Sequence, residues 1–462
     1  MLGPGILIAS ALSLSGVAGP KAAEPLSPKL PSGKQRAFPS AEGFGAAAIG
    51  GRWGKIIYVT NLNETGEGSL RACIEATGPR NCVFRTGGTI TLNSGPLVII
   101  DPYITIAGET SPGGGIAIRN GPTQVRPSIE VRTHDVIMRH LRLRPGPHRV
   151  PGCCSGALGL YTLEAHDIML DHISASWGSD ETVDSENASN FTWQWGILGE
   201  PLLRGGPNKH NRARNMLLTK SGDLTVHHSL FAQGIMRNPQ IDLMRPGAVA
   251  DVVNNVMHSR RWQYVVLFED RRTHVRGNVV GNYKTAGENL DDDHLVFLWT
   301  YPEGNGYSIF VSDNYDETYR PDPSDPEFMV MPESQRASIV ARRFPAPPVR
   351  TTSPGQAYDE VLANAGATKP IRDSVDARLV EEVVNRTGNI LRGNPSAVGG
   401  WPQLAPGTPY SDGDGDGIED GWETRHGLDP HAAADGSRDR NGDGWTNFEE
   451  FTHELAGDIP QS

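Results

Sequence analysis

The chain has 462 residues, 37% of them hydrophobic, and a formal net charge of −12. That length buries a large core and leaves room for one big domain with a smaller attachment. Residues 411–450 carry 12 Asp/Glu against 3 Arg, a local −9 that leaves −3 for everything else, and no Lys/Arg run is interleaved with aromatics, so nucleic acid is excluded as a partner.

In chain order, residues 1–23 read as a secretory signal peptide: 6–17 is an apolar run too short for a bilayer, followed by the small residues Ala18, Ala22 and Ala23. No later segment is apolar enough to cross a membrane. The expectation is a secreted protein, extracellular or periplasmic in a Gram-negative host, acting as a monomer without a membrane partner. Cys73 and Cys82 flank a Thr-Gly-Pro turn and can close a small loop. Cys153 and Cys154 are adjacent, where a vicinal bridge is strained, so free or differently paired thiols stay open.

The middle of the chain is repetitive. The β-rich phrases VIMRHLRL, IMLDHISA, FTWQWGIL, LTVHHSLF, VVNNVMHS and HVRGNVVG carry central polar pairs that begin at Arg139, Asp171, Gln194, His227, Asn254 and Arg276, in steps of 32, 23, 33, 27 and 22 residues. The period is too short for a βαβ unit each time and suits one coil of an all-β parallel solenoid with loops of varying length. Alternate side chains then stack inside or face out, and Gly and Asn provide the corners. Arg139, Arg142 and Arg144 on one strand read equally as a solvated face or as part of a groove for a polyanion.

After Asn282 the repeats fade into a Pro-rich segment, with a loop at 343–349. Helical spacing follows at 358–365 and 375–384, on either side of a Lys-Pro break, and these helices are expected to cover the solenoid's flank or end. The main domain is thus assigned to 37–400 and a linker to 401–410.

The tail, 411–455, has the most specific spacing. Asp412, Asp414, Asp416, Gly417, Asp420 and Glu423 occupy positions 1, 3, 5, 6, 9 and 12 of an EF-hand calcium loop, with the carbonyl of Ile418 at position 7. Asp439, Asn441, Asp443, Gly444, Asn447 and Glu450 repeat the pattern 27 residues on, with Trp445 supplying the carbonyl. Two complete matches predict paired Ca2+ sites forming a small module that has almost no core of its own. The loops resemble the dockerin-like and thrombospondin type 3-like repeats of secreted proteins, where attachment to a partner is a second reading.

Six phrases carry a family resemblance: AFPSAEGFGAAAIGGRWGK at 37–55, GSLRACIE at 68–75, ITIAGETSPGGGI at 104–116, LDHISASWGSDET at 170–182, HHSLFAQGIMRNP at 227–239 and RDSVDARLV at 372–380. With these, the chain resembles the pectate lyase family of right-handed parallel β-helices over nearly its whole mature length. The resemblance implies that Arg237, two residues before Pro239, takes the C5 proton of a uronide. It implies further that Arg214 contacts a substrate carboxylate, that Asp180 and Asp184 hold a substrate-bridging Ca2+, and that the substrate is an acidic polysaccharide such as pectate. Asp171-His172 matches the family's Asp-His dipeptide. As residues in a β-helix, Asp171-His172 and His227-His228 read first as a hydrogen-bond ladder rather than as chemistry.

Two departures stand out. The family's Asp before an Ala-Leu pair is Gly156 here, and Gln240 and Asp242 stand where a second substrate arginine is expected. Cleft calcium is therefore expected to be weaker, to borrow Glu181, or to need substrate. Two other functions compete with the lyase. A glycoside hydrolase would recruit Asp180, Glu181 and Asp184 and release saturated products. A non-catalytic polysaccharide-binding solenoid would not depend on Arg237.

Overall fold

The computed structural model describes residues 27–151, 155–207, 212–259, 265–271, 273–285, 294–318 and 330–458. The proposed signal peptide, 1–23, and Cys153 and Cys154 lie outside them. Strands recur in threes, each joining one of three parallel sheets. A 10-stranded sheet runs from Lys55–Val59 to Tyr307–Ser312, a 9-stranded one from Gly88–Leu92 to Tyr315–Asp316, and an 8-stranded one from Leu97–Ile99 to Val296–Trp299. One coil reads His166–Asp171, Ser174–Ser176, Glu181–Glu186, after which Ser189–Gln194 stacks on the first of these. The fold is an all-β parallel β-helix. Alternation builds its interior: Ile168, Leu170, Val183 and their equivalents form a continuous apolar column running from Val59 to Met331.

The polar pairs mark a corner between the first and second sheets. Arg139, Asp171, Gln194 and His227 are in register at the strand ends, and each is followed by a residue at positive φ: His140 (50°), His172 (53°), Trp195 (51°) and His228 (47°). The register then continues through Val253 and Val280, one residue before Asn254 and four after Arg276, so the last two expected pairs were out of phase. Asn254 and Gly281 take the corner there, and Asn255, Asn282 and Asn314 form a buried amide ladder at 2.9–3.0 Å beside it. The expected ladder reading holds geometrically: Arg139 donates to Asp171 (2.9 Å), Gln194 to Asp171 (2.8 Å), and His227 lies 3.2 Å from Gln194.

The helices Pro354–Asn364 and Ser374–Asn385 lie against the second sheet, with Val361, Val375, Leu379 and Val383 packed on Ile197, Leu230 and Val256. This overturns both readings of the three arginines, which fall not on one strand but on Val136–Arg139, on Arg142–Leu143 and just after it. Arg139, Arg142 and Arg144 are at most 2% exposed. Arg144 donates to Asp373 (3.0 Å) and Asp376 (2.8 Å), Arg142 donates to the Ala367 carbonyl (2.9 Å), and Arg139 pairs with Asp171 and Asp458. They tie the cover and the tail to the solenoid, because a buried guanidinium needs carboxylates at its donors.

At one end, Leu70, Cys73 and Ile74 of the helix Leu70–Glu75 enter the core, and Cys73 is bonded to Cys82. Residues 401–410 run along the solenoid: Gly87 donates to the Pro406 carbonyl (2.8 Å) and Gly114 to that of Ala405 (2.9 Å). The tail helices Asp420–His426 and Asn447–Ala456 follow, packing Ile418, Trp422, Phe448 and Phe451 against Val83, with Ile56 and Tyr58 beside them. No helix among the described residues is long and apolar enough to cross a membrane.

Candidate active site

The 8-stranded sheet brings the expected cleft residues together. Glu181 lies opposite Arg214, which bridges to Met236, so Asp180–Glu181, Arg214 and Arg237 stand on three successive coils. Asp184 faces outward because its neighbours Val183 and Ser185 are buried. Asp171 and His227 end strands of the 10-stranded sheet, His172 and His228 take the corner after them, and none of the four takes part in this cluster.

Charges here are matched one against another. Arg214 reaches Asp180 at 2.9 Å and Glu181 at 3.3 Å, Arg212 also pairs with Asp180, and Arg237 pairs with Glu181. Burial pulls the Arg237 guanidinium below its ordinary value, although Glu181 opposes this. Burial, with Glu181 adding repulsion, pushes the Asp184 carboxyl up to about 6. The guanidinium groups and carboxylates form a polar patch that can exchange internal partners for the carboxylates of an anionic chain.

Three contributors escaped the sequence reading. Arg212 sits two residues before Arg214, a spacing that puts both on one face of an extended segment. Glu130 is fully buried beneath Arg126 (2.7 Å) and Arg132 (2.6 Å), in register with Gly159 and Asp184. Tyr161 covers Gly159, where a Cβ would fall 2.4 Å from the ring, and donates to Asp184 at 3.2 Å. At Gly156 a Cβ would come within 3.1 Å of the Glu181 carbonyl, so the residue that departs from the family pattern also sits in a tight place.

The cleft and the tail differ in what they offer a cation. Among the described residues, Asp180, Glu181 and Asp184 do not form a group of three convergent ligand atoms, while Asp412–Asp414–Asp416 and Asp416–Glu423–Asp435 do. Asp435 lies outside both expected loops. Asp420 caps the first loop by accepting from Gly413 (2.7 Å), Asn447 does the same for Arg440 (3.3 Å), and the residues supplying position-7 carbonyls, Ile418 and Trp445, are buried. Glu42, His227 and His228 also converge, with the two imidazole Nδ1 atoms 2.9 Å apart, but Gln194 and Arg350 already engage this group.

Comparison with known proteins places the chain. It is 32% identical over 432 residues to a probable pectate lyase C of Aspergillus terreus, covering 92% of this chain and 94% of the relative. It is 32% identical over 429 residues to the Neosartorya fischeri protein of the same name, covering 91% and 93%. The chain belongs to the pectate lyase family of polysaccharide lyases. No family model matches it. Among solved structures, the cedar pollen allergen Jun a 1 superimposes with a TM-score of 0.50 at 16% identity, covering 71% of this chain and 92% of that one, a likeness of fold.

Proposed function

We propose that this protein is a secreted, monomeric pectate lyase that cleaves de-esterified homogalacturonan by β-elimination. The observation that carries the reading is the convergence of Arg212, Arg214 and Arg237 on Asp180 and Glu181 across successive coils of one sheet. A substrate carboxylate entering beside Glu181 takes over guanidinium donors from it, and Arg214 then stabilises the charge that develops as the C5 proton leaves. Arg237, having released a proton to solvent, receives the C5 proton in this scheme, the C4–O bond breaks with its electron pair on the leaving oxygen, which takes a proton from water, and a C4=C5 double bond remains. An arginine resists deprotonation, and the buried position that lowers Arg237 works in the required direction.

Calcium enters in two ways. In the cleft Asp180, Glu181 and Asp184 do not converge as a group of three among the described residues, so substrate carboxylates would complete the shell of an ion held there; no step is assigned to that ion. In the tail the residues fit calcium: Asp414, Asp416, Glu423 and Asp435 each have a buried carboxylate oxygen without a hydrogen-bond partner. Residues 411–455 act in this reading as a calcium-holding module at the end of the β-helix domain, and 1–23 as the secretion signal.

The reading is tested by incubating the purified protein with polygalacturonate and calcium. Products absorbing as conjugated unsaturated uronides are expected in step with new reducing ends. Reducing ends without that absorbance make the enzyme a hydrolase, and neither signal makes it a binding protein.

A further inference from the structure

The two tail loops fold alike, which makes their one large difference informative. Asp412 accepts from the amides of Gly415 (2.9 Å) and Gly417 (3.2 Å), as Asp439 does from Gly442 (2.6 Å) and Gly444 (2.9 Å). Asp416 accepts from Ile418 and Asp443 from Trp445, both at 3.0 Å. At position 12 the likeness ends. Glu423 is 0% exposed and neither of its oxygens has a partner, whereas Glu450 takes Arg440 Nε at 3.0 Å and Nη2 at 2.9 Å on one oxygen and Asn441 on the other.

A fully buried carboxylate with two orphaned oxygens is costly unless a cation completes it. Glu423 faces Asp416 and Asp435, and the ligand atoms of the three lie within 4.8 Å of one another. Asp435 comes from the stretch between the loops and holds its place by accepting from Asp429 (3.1 Å). In the second loop the guanidinium of Arg440, at loop position 2, already neutralises the glutamate.

We propose that the tail holds one calcium ion rather than two: Asp435 joins Asp416 and Glu423 around it, and Arg440 stands in for the cation in the second loop. The ion also fastens the tail to the solenoid. Asp412, at the head of the first loop, accepts from Tyr58 and lies 3.7 Å from Arg85, which belong to the first two rungs of the 10-stranded sheet, while Ile418 and Trp422 of the same unit bury against Val83. Glu449 pairs with Arg52 at 2.8 Å and Trp445 donates to the Arg36 carbonyl at 3.0 Å, so the whole tail is docked through contacts that need the module folded.

The proposal rests on the calcium reading of the tail, and its test uses no polysaccharide, so it stands or falls apart from the lyase reading. Metal-stripped full-length protein is titrated with calcium by calorimetry, with thermal unfolding alongside. One tight event per chain is expected, accompanied by a rise in melting temperature. Glu423→Gln and Asp435→Asn should each weaken it by about tenfold or more, Glu450→Gln should leave it unchanged, and Arg440→Ala should add a second event. Asp435→Asn keeps the proposal testable if Glu423→Gln fails to fold. Two comparable events in the wild type, no event at all, unchanged affinity in Asp435→Asn, or equal losses in Glu423→Gln and Glu450→Gln would each overturn it.

Discussion

On the solenoid face carboxylates and guanidinium groups are matched, and in the first tail loop they are not. Asp180 and Glu181 have Arg212, Arg214 and Arg237 as partners. Among the described residues Asp416, Glu423 and Asp435 have no Lys or Arg partner and instead face one another. Like charges about 4 Å apart repel by about 4 kcal/mol at an effective dielectric of about 20, so the second arrangement is under electrostatic load until a cation arrives. The first carries less of it, because Asp180 and Glu181 each have a guanidinium within reach. A matched cluster keeps its shape without ligand and can trade one anion for another, as suits a surface that must bind and release a polyanion. An unmatched one suits permanent retention of a metal.

The largest effect that would break this contrast lies at Arg237. Arg237→Lys keeps a positive charge opposite Glu181, so folding should survive, but an ammonium cannot reproduce the planar fork. A loss of about three orders of magnitude or more in kcat/KM on polygalacturonate is expected, with little change in melting temperature. Turnover near that of the wild type would remove Arg237 from the chemistry and leave the cluster as a binding surface only.

The parts of this contrast differ in how legible they are in the sequence. The period of the β phrases announces a solenoid because each coil repeats the same inside–outside alternation, and Arg-x-Pro and Asp-x-x-x-Asp fall on the same sheet because strand and coil fix their spacing. Long-range pairing leaves no such trace. Arg144 looks like a surface residue until Asp373 and Asp376 arrive from 229 and 232 positions away. Arg440 occupies a position that the loop pattern leaves undefined, and Asp435 lies outside the pattern, so the spacing that gives two equal loops hides their inequality. The pairs expected at Asn254 and Arg276 were out of phase because the polar pairs mark turns, whose φ > 0 positions take His, Trp, Asn or Gly alike.

A smaller effect sharpens the tail side of the comparison through pH. Burial and neighbouring carboxylates push Asp416 up to about 7 and Glu423 up to about 8, against about 3.9 and 4.3 in an unfolded chain. Between those limits the folded, metal-free protein binds more protons than the unfolded one, so this contribution to stability is present at low pH and is lost as pH rises through about 7–8. Metal-free protein should therefore melt at least about 3 °C lower at pH 9 than at pH 5. Glu109 and Glu382, pushed up to about 7 by burial, add a slope of the same sign that calcium does not touch. The tail's share is the part that saturating calcium abolishes. A slope identical with and without calcium would mean that the unmatched carboxylates do not meet a cation.

The smallest effect concerns Tyr161, which joins the two halves of the comparison because it is the neutral partner of Asp184, an outward carboxylate beside the cleft arginines. Its hydroxyl donates to Asp184 at 3.2 Å, a bond that favours the ionised form and works against the burial holding that carboxyl up at about 6. Tyr161→Phe keeps the ring over Gly159 and removes only the donor, so the fold should be unaffected. Asp184 should then stay protonated to higher pH. If the substrate-bound cleft uses Asp184 as a calcium ligand, the calcium needed for half-maximal lyase activity near pH 5, where that carboxyl is mostly protonated, should rise about two- to fivefold, the equivalent of about 0.5–1 kcal/mol for a weak hydrogen bond. The penalty should fade toward pH 9, where Asp184 is ionised in both proteins. A calcium requirement that falls instead would mean that the tyrosine competes with the ion for the carboxylate, and one unchanged at every pH would take Asp184 out of the calcium response altogether.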